Sequence, residues 1–283
     1  MIKRFHFFIA LSAFIFLLFC SCGCRRTGEN AGEPERTYYP KSSGAFRIMS
    51  YNVGALHKYI ENLDDNVNMV AAMINEAQVD VVGLNELDSC NLRHNVNEIE
   101  LLAKAAGKWN WHYGKTLDYK GGAYGNGILT PKKAKVISVD RIRFQNPTKF
   151  ESRGMTVVTT DKYVLATSHL DHSSEEYIQS QIAEINAWVQ EKHKDSPVPV
   201  FFCGDMNSIP GSEAIKALEE QWEIISNIEE YTTVNSHRCI DFIFHYKQSA
   251  PVKVVGAHTL LKSYSGDPEK ASDHFPIYSD VIF

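Results

Sequence analysis

The chain has 283 residues, of which 44% are hydrophobic and 22% charged, and its formal net charge is −5. That is a globular profile, long enough for one large domain or two small ones, and no block of like charges marks a disordered interaction tail. The acidic balance argues against a dedicated nucleic-acid binder, because counterion release rewards basic surfaces.

The N-terminus comes first in chain order. Lys3 and Arg4 precede an apolar run from Phe7 to Phe19 that gives way abruptly to small residues. The run is short for a membrane span and reads as a secretory signal instead of a buried helix. Phe19-Cys20-Ser21-Cys22 resembles a bacterial lipobox, with Cys22 as the lipidated residue and Cys24, after Gly23, as the alternative. Residues 1–22 are therefore expected to be a lipoprotein signal, and residues 23–44, polar and broken by Pro34 and Pro40, a flexible tether. The expected product is exported and held to a bacterial membrane by its lipid, on the periplasmic or cell-surface face. Losing Lys3 and Arg4 with the leader moves the formal charge from −5 to −7. Cys90, Cys203 and Cys239 remain in the domain over 45–283; Cys203 and Cys239 lie in apolar runs and read as core residues, with no disulfide expected.

From Ala45 the pattern alternates strands and helices. Phe46 to Tyr51 reads as a strand, and Val67, Val70, Ala71 and Ile74 carry the spacing of a helix with one buried face. Val79 to Leu84 reads as a buried strand. Strands are also expected at Gly127–Thr130, Lys135–Val139, Met155–Thr160 and Tyr163–Thr167. Ser173 and Glu176 form a capping box before a helix whose stripe is Ile178, Ile182, Ile185 and Val189. A shorter helix over Ser212–Gln221 and strands at Val198–Cys203, Ile240–His245, Val252–Ala257 and Ile277–Ile282 complete the set. Many strands mixed with few helices predict a layered α/β architecture of two packed sheets with helices outside.

The acidic and amide residues fall at the ends of these apolar runs. Asn52 ends the first strand, Glu86 follows the second, Asp205 and Asn207 follow Phe201-Phe202-Cys203-Gly204, and Asp273-His274 precede the last strand. Strand ends are where functional side chains converge in such proteins. Asp205 and Asn207, two apart on an extended segment, are expected to face one ligand, although an Asx-turn followed by a turn at Pro210-Gly211 is the competing reading. Asp273 and His274 can divide labour, one ligating a hard cation and the other moving a proton. Asp241, at the edge of a buried strand, needs a partner, and His274 is the candidate.

The ordered series Ser50-Tyr51-Asn52, Asn85-Glu86, Ser168-His169-Leu170, Gly204-Asp205-Met206-Asn207, Ile240-Asp241-Phe242-Ile243 and Ser272-Asp273-His274-Phe275-Pro276 resembles the endonuclease/exonuclease/phosphatase (DNase I-like) superfamily. The resemblance spans Phe46 to Phe283 and implies a four-layer α/β sandwich, two mainly antiparallel sheets packed face to face. It implies Glu86 as the main Mg²⁺ or Mn²⁺ ligand, helped by Asn52 and Asp273. It implies Asp205 as base, with Asn207 orienting water and phosphoryl oxygens. It also implies that His274, held by Asp241, contacts the phosphate, and that His169 polarises the phosphate or protonates the leaving group. Tyr124, in a Gly-Asn turn before the middle strand, and Arg153, before Gly154, are candidate substrate contacts.

Phosphoester hydrolysis needs a hard cation, an oriented water and a proton for the leaving oxygen, and an oxygen-rich site suits Mg²⁺ over zinc. The expectation is a monomeric, metal-dependent phosphomonoesterase or phosphodiesterase acting outside the cytoplasm. A secreted nuclease is the alternative, disfavoured by Gly54 after the first Asn and by the lack of basic, aromatic insertions. A catalytically dead binding module is disfavoured because every motif residue is present.

Overall fold

The computed structural model describes residues 36–145 and 151–283; the leader, Cys22, Cys24 and most of the tether lie outside them. In chain order the described elements are β1 (Phe46–Asn52), α1 (Leu63–Glu76), β2 (Val81–Ser89), α2 (Glu98–Ala106), β3 (Trp109–Tyr119) and β4 (Gly122–Pro131). They continue with β5 (Val136–Arg143), β6 (Gly154–Thr160), β7 (Val164–His169), α3 (Glu175–His193), β8 (Val200–Asp205) and α4 (Glu213–Glu219). The last are β9 (Trp222–Ile224), β10 (Asp241–Tyr246), β11 (Lys253–Thr259), α5 (Pro268–Ala271) and β12 (Ile277–Ile282).

The strands form two six-stranded sheets, in the orders β11-β12-β1-β2-β4-β3 and β5-β6-β7-β8-β10-β9. Pairing is antiparallel except at β1·β2 and β7·β8. Alternation along each strand assigns the layers. Ile48, Val81 and Ile128 of the first sheet meet Val158, Leu165, Phe201, Cys203 and Ile243 of the second in a shared core. The opposite parity of the first sheet, including Met49, Tyr51, Val82 and Leu84, packs under α1 and α2. The outer face of the second, including Val157, Ala166, Phe202 and Phe244, packs under α3 and α4. The result is the four-layer sandwich expected. Truncating a wholly buried inter-sheet residue such as Leu165 to Ala would cost about 2–5 kcal/mol.

Several elements differ from the sequence reading. The α2 helix, the half-exposed β3 strand and the short β9 strand were not anticipated. The α3 cap is Ser174, whose side chain accepts from Tyr177 N; Ser173 instead donates its hydroxyl to Asp171 Oδ1 at 2.8 Å. Residues 36–44, expected as the end of the tether, dock on the domain and belong with it to one compact unit, Arg36–Phe283. Tyr39 packs against the first core, accepts from Leu261 N through its hydroxyl at 3.0 Å, and receives Arg47 Nη1 on its carbonyl at 2.8 Å. Burying an aromatic ring with its hydroxyl satisfied outweighs the flexibility that the polar composition suggested. Cys90, Cys203 and Cys239 are free.

Candidate active site

The inter-sheet core ends in polar groups because each strand continues its inward-facing alternation one step beyond the apolar residues. Ile48 and Ser50 lead to Asn52, Val81 and Gly83 to Asn85, Leu165 and Thr167 to His169, and Phe201 and Cys203 to Asp205. Asp241 precedes Ile243 on an antiparallel neighbour and so arrives at the same end. Register completes the alignment: His169 pairs with Asp205 across β7·β8, and Asp205 with Asp241 across β8·β10. Asn52 pairs with Asn85 across β1·β2. Five strands thereby bring their side chains to one end of the inter-sheet core.

Gly204 makes this approach feasible. Its φ is +141°, and a Cβ there would lie 1.8 Å from the Ser168 carbonyl oxygen. Any side chain would force β7 and β8 apart at the point where His169 and Asp205 meet.

Glu86 reaches the site by a different device. It lies inside β2, not after it, where the β2·β4 register slips between Leu84 and Leu87. Its φ of 58° turns it out of the alternation at this bulge, so that Asn85 stays in the core while Glu86 faces the rim. Asn85 becomes an internal clamp, donating Nδ2 to Asn126 Oδ1 at 3.1 Å and accepting Asp205 N at 3.1 Å.

Asn52 links the two acidic groups, donating Nδ2 to Glu86 Oε1 at 3.0 Å and to Asp205 Oδ2 at 3.1 Å. Its oxygen accepts Gly54 N at 3.1 Å, so the amide nitrogen, not the oxygen, faces the carboxylates. Asp205 Oδ2 also lies 3.5 Å from His169 Nε2 and 3.6 Å from His274 Nε2. His274 Nδ1 stands 2.8 Å from Asp241 Oδ2, and Thr232 Oγ1 donates to that same oxygen at 2.6 Å. Ser272 Oγ donates to the Asn52 carbonyl at 2.8 Å, tying the Ser272-Asp273-His274 segment to the end of β1.

These surroundings set the protonation states. Burial pushes Asp205 up to about 7, with Asp241 and Glu86 adding to the rise and His274 opposing it. Burial disfavours charge on His274, but Asp241 and Asp205 outweigh it and raise the imidazole to about 10. His169 is held well below its usual value by burial first and then by Arg153 and His274. At neutral pH, His274 is thus an imidazolium and His169 a neutral ring, which does not suit His169 to carry a proton to a leaving group.

Other expected residues are placed differently. Asn207 has a φ of 51°, so alternation stops at Asp205 and the two do not share a direction. Asn207 N donates to Asp205 Oδ1 at 2.8 Å, the Asx-turn that was the competing reading, and its Nδ2 donates to the Leu170 carbonyl at 3.0 Å. Asp273 forms an ion pair with Lys58 at 2.7 Å. Tyr124 lies within β4, and the turn before that strand is at Lys120-Gly121 instead; Tyr124 lines a cleft of about 120 Å³ with Glu86, Arg93, Leu117, Tyr119 and Glu151. Arg153, 2% exposed, sets Nη2 3.1 Å from Glu151 and 3.3 Å from His172, while its Nε has no hydrogen-bond partner among the described residues.

Sequence reasoning missed Lys58, Thr232 and the structural role of Asn85. Asn85 belongs to the Asn85-Glu86 motif; Lys58 acts on Asp273, far away in sequence, and Thr232 reaches Asp241 nine positions on from an irregular segment that carries no periodic pattern. Gly54, with φ +55°, is needed beside Lys58: a Cβ would sit 3.2 Å from Ser272 Oγ and 3.3 Å from Asp273 Oδ1.

The donor set fits a hard divalent cation. One ligand atom each from Asp205, Asp241 and His274 lies within 4.8 Å of the other two, and Asn52 links Asp205 to the Glu86 carboxylate through a single amide nitrogen. The Glu86 carboxylate keeps access to solvent, as a hard-cation ligand at the rim requires.

Solved structures share this fold. An endonuclease/exonuclease/phosphatase from Bacteroides vulgatus superposes with a TM-score of 0.67 at 19% identity, covering 84% of this chain and 98% of that one. A mannosyl-6-phosphatase from Bacteroides thetaiotaomicron gives 0.68 at 16% identity, covering 84% and 100%. The human Nocturnin catalytic domain with bound sulfate gives 0.67 at 17% identity, covering 87% and 97%. No curated protein sequence matches the chain. Residues 49–274, a span that holds Asn52, Glu86, His169, Asp205, Asp241 and His274, match the family model, and the chain belongs to the Endonuclease/Exonuclease/phosphatase family, whose members are hydrolases acting on phosphoesters.

Proposed function

We propose that the protein is a divalent-metal-dependent phosphoesterase that works outside the cytoplasm as a lipid-anchored protein. The observation that carries the catalytic reading is the convergence of His169 and His274 on one oxygen of Asp205, at 3.5 and 3.6 Å, with Asp241 behind His274. A phosphate ester seated over this row meets a base, a fixed positive charge and a neutral donor at once.

Asp205, raised to about 7, is the base that takes a proton from the attacking water. His274 stays charged against Asp241 and offers its Nε2 proton to a phosphoryl oxygen, a charge-assisted hydrogen bond preorganised before substrate arrives. The neutral His169 donates a single hydrogen bond to the phosphate. Asn52 bridges Glu86 and Asp205 through its amide nitrogen. Glu86 would hold the cation; Asp273, paired with Lys58, is a further carboxylate for it, whereas Asn52 turns its amide nitrogen to Glu86. When bound, Mg²⁺ or Mn²⁺ supplies Lewis-acid stabilisation of charge on the phosphoryl oxygens.

Activity on phosphate esters is expected to vanish in EDTA and to return with Mg²⁺ or Mn²⁺; full activity in chelator would overturn metal dependence. The neighbouring mannosyl-6-phosphatase adds sugar phosphates to the esters worth assaying. The anchoring reading rests on the leader and the Cys22 motif. Cys22→Ser should release the protein from membranes, and unchanged membrane association would defeat it.

A further inference from the structure

A second cluster of ligating groups lies beyond the catalytic row. Asp88 follows Glu86 on β2, His94 sits in the loop after it, and Glu98 opens α2. One ligand atom from each lies within 4.8 Å of the other two. Both carboxylates are completely buried. Glu98 Oε1 is 2.6 Å from His94 Nδ1, and Oε2 accepts Asp88 N at 2.7 Å. Arg93 Nε forms an ion pair with Asp88 Oδ2 at 2.8 Å, and Asp88 Oδ1 is left without a well-formed hydrogen bond. The Asn91 side chain also approaches Asp88, and a buried carboxylate whose hydrogen bonds are poorly formed is costly unless something else occupies the space. The His57 ring packs edge-on 5.0 Å from that of His94, and its buried Nδ1 likewise has no partner.

We infer that Asp88, His94 and Glu98 form a second divalent-cation site of zinc type. The mixture of imidazole and carboxylate suits zinc, whereas Mg²⁺ prefers oxygen donors alone. The loop is already fixed around the site: Asn91 Oδ1 accepts from Arg93 N at 2.8 Å and His94 N at 3.1 Å, and Cys90 N donates to Val96 O at 2.8 Å. Two positive charges there offset Asp88 and Glu98 while Arg93 stays paired to the outer oxygen. Because Asp88 stands two residues from Glu86 on the bulged strand, such an ion pins the bulge that aims Glu86.

The test is calorimetric titration of zinc chloride into chelator-stripped Glu86→Gln protein, a background that removes the main catalytic ligand. One bound equivalent is expected, with imidazole scattering in its X-ray absorption spectrum. Adding His94→Gln, or separately Glu98→Gln, should abolish that equivalent while the metal-free melting curve stays cooperative. Three outcomes overturn the inference: no zinc bound by Glu86→Gln, no imidazole among the ligands, or the same stoichiometry in both second-site variants. The first is expected if a proton shared by His94 and Glu98 is all that fills the cluster.

Discussion

His274 and Asp241, 33 positions apart, meet Nδ1 to Oδ2 at 2.8 Å on the floor of the site. A carboxylate only accepts, so His274 donates through Nδ1 and presents Nε2 toward Asp205 and the substrate space. Thr232 fixes the orientation of the carboxylate by donating to the same oxygen at 2.6 Å.

Asp241→Asn keeps the shape but substitutes an amide that neither fixes this tautomer nor stabilises the imidazolium. The expected loss in kcat is about 10²- to 10⁴-fold with little change in KM. The alkaline limb of the pH profile should also move down from about 10, because Asp241 is the leading group that raises His274. Steady-state kinetics across pH measure both, and an unchanged kcat and limb would remove Asp241 from the mechanism.

The pH dependence of wild-type kcat/KM follows from the same charges. Asp205 must be deprotonated to act as base, so activity should rise with pH as this group loses its proton. Its value is about 7 in the metal-free protein, and a cation at Glu86 favours the carboxylate, placing the acid limb at or below 7. His274 must keep its proton, so activity should fall as pH rises through about 10. A profile flat from acid to alkaline pH would contradict both assignments.

A third prediction concerns stability alone. Arg47, 1% exposed, binds both oxygens of Asp280, at 2.6 and 2.7 Å, and donates to the Tyr39 and Ala77 carbonyls. Its guanidinium also lies 3.9 Å over the Tyr278 ring. Arg47→Met leaves Asp280 buried and unpaired, at a cost of about 3–5 kcal/mol. That corresponds to a fall in Tm on the order of 10 °C for a domain of this size. Adding Asp280→Asn should recover part of it. Differential scanning calorimetry of the two variants is the check.

The sequence was informative where function depends on local pattern. Apolar runs ended by Asn52 and Asp205 and opened by Asp241 announced the rim of the site, and helical spacing marked the buried stripe of α3 from Ile178 to Val189. The bulge at Glu86 was not legible, because the slip of β2 against β4 depends on a partner about 40 residues away, and Asn85-Glu86 alone reads as a strand end. Alternation likewise promised a shared direction for Asp205 and Asn207, and the left-handed turn at Asn207 broke it. Edge strand β3 was hidden because its Trp109-to-Tyr119 face is half solvated and lacks a clean period of two. The helix α2 did carry the signal, with Asn97 as cap and Ile99, Leu102, Ala103 and Ala106 in helical spacing, but it spans only nine residues. Cross-strand register, which sets His169, Asp205 and Asp241 side by side, belongs to the assembled sheet and to no single segment.

The central claim is that this row of residues hydrolyses phosphate esters. Its most direct test is ³¹P NMR of a panel of sugar phosphates, inositol phosphates, sphingomyelin and nucleic acid, incubated in Mg²⁺ with wild-type protein and with His274→Ala. The account predicts conversion of at least one ester by the wild type and a loss of orders of magnitude in the folded variant. No conversion of any ester by the wild type, or equal conversion by His274→Ala, would contradict it.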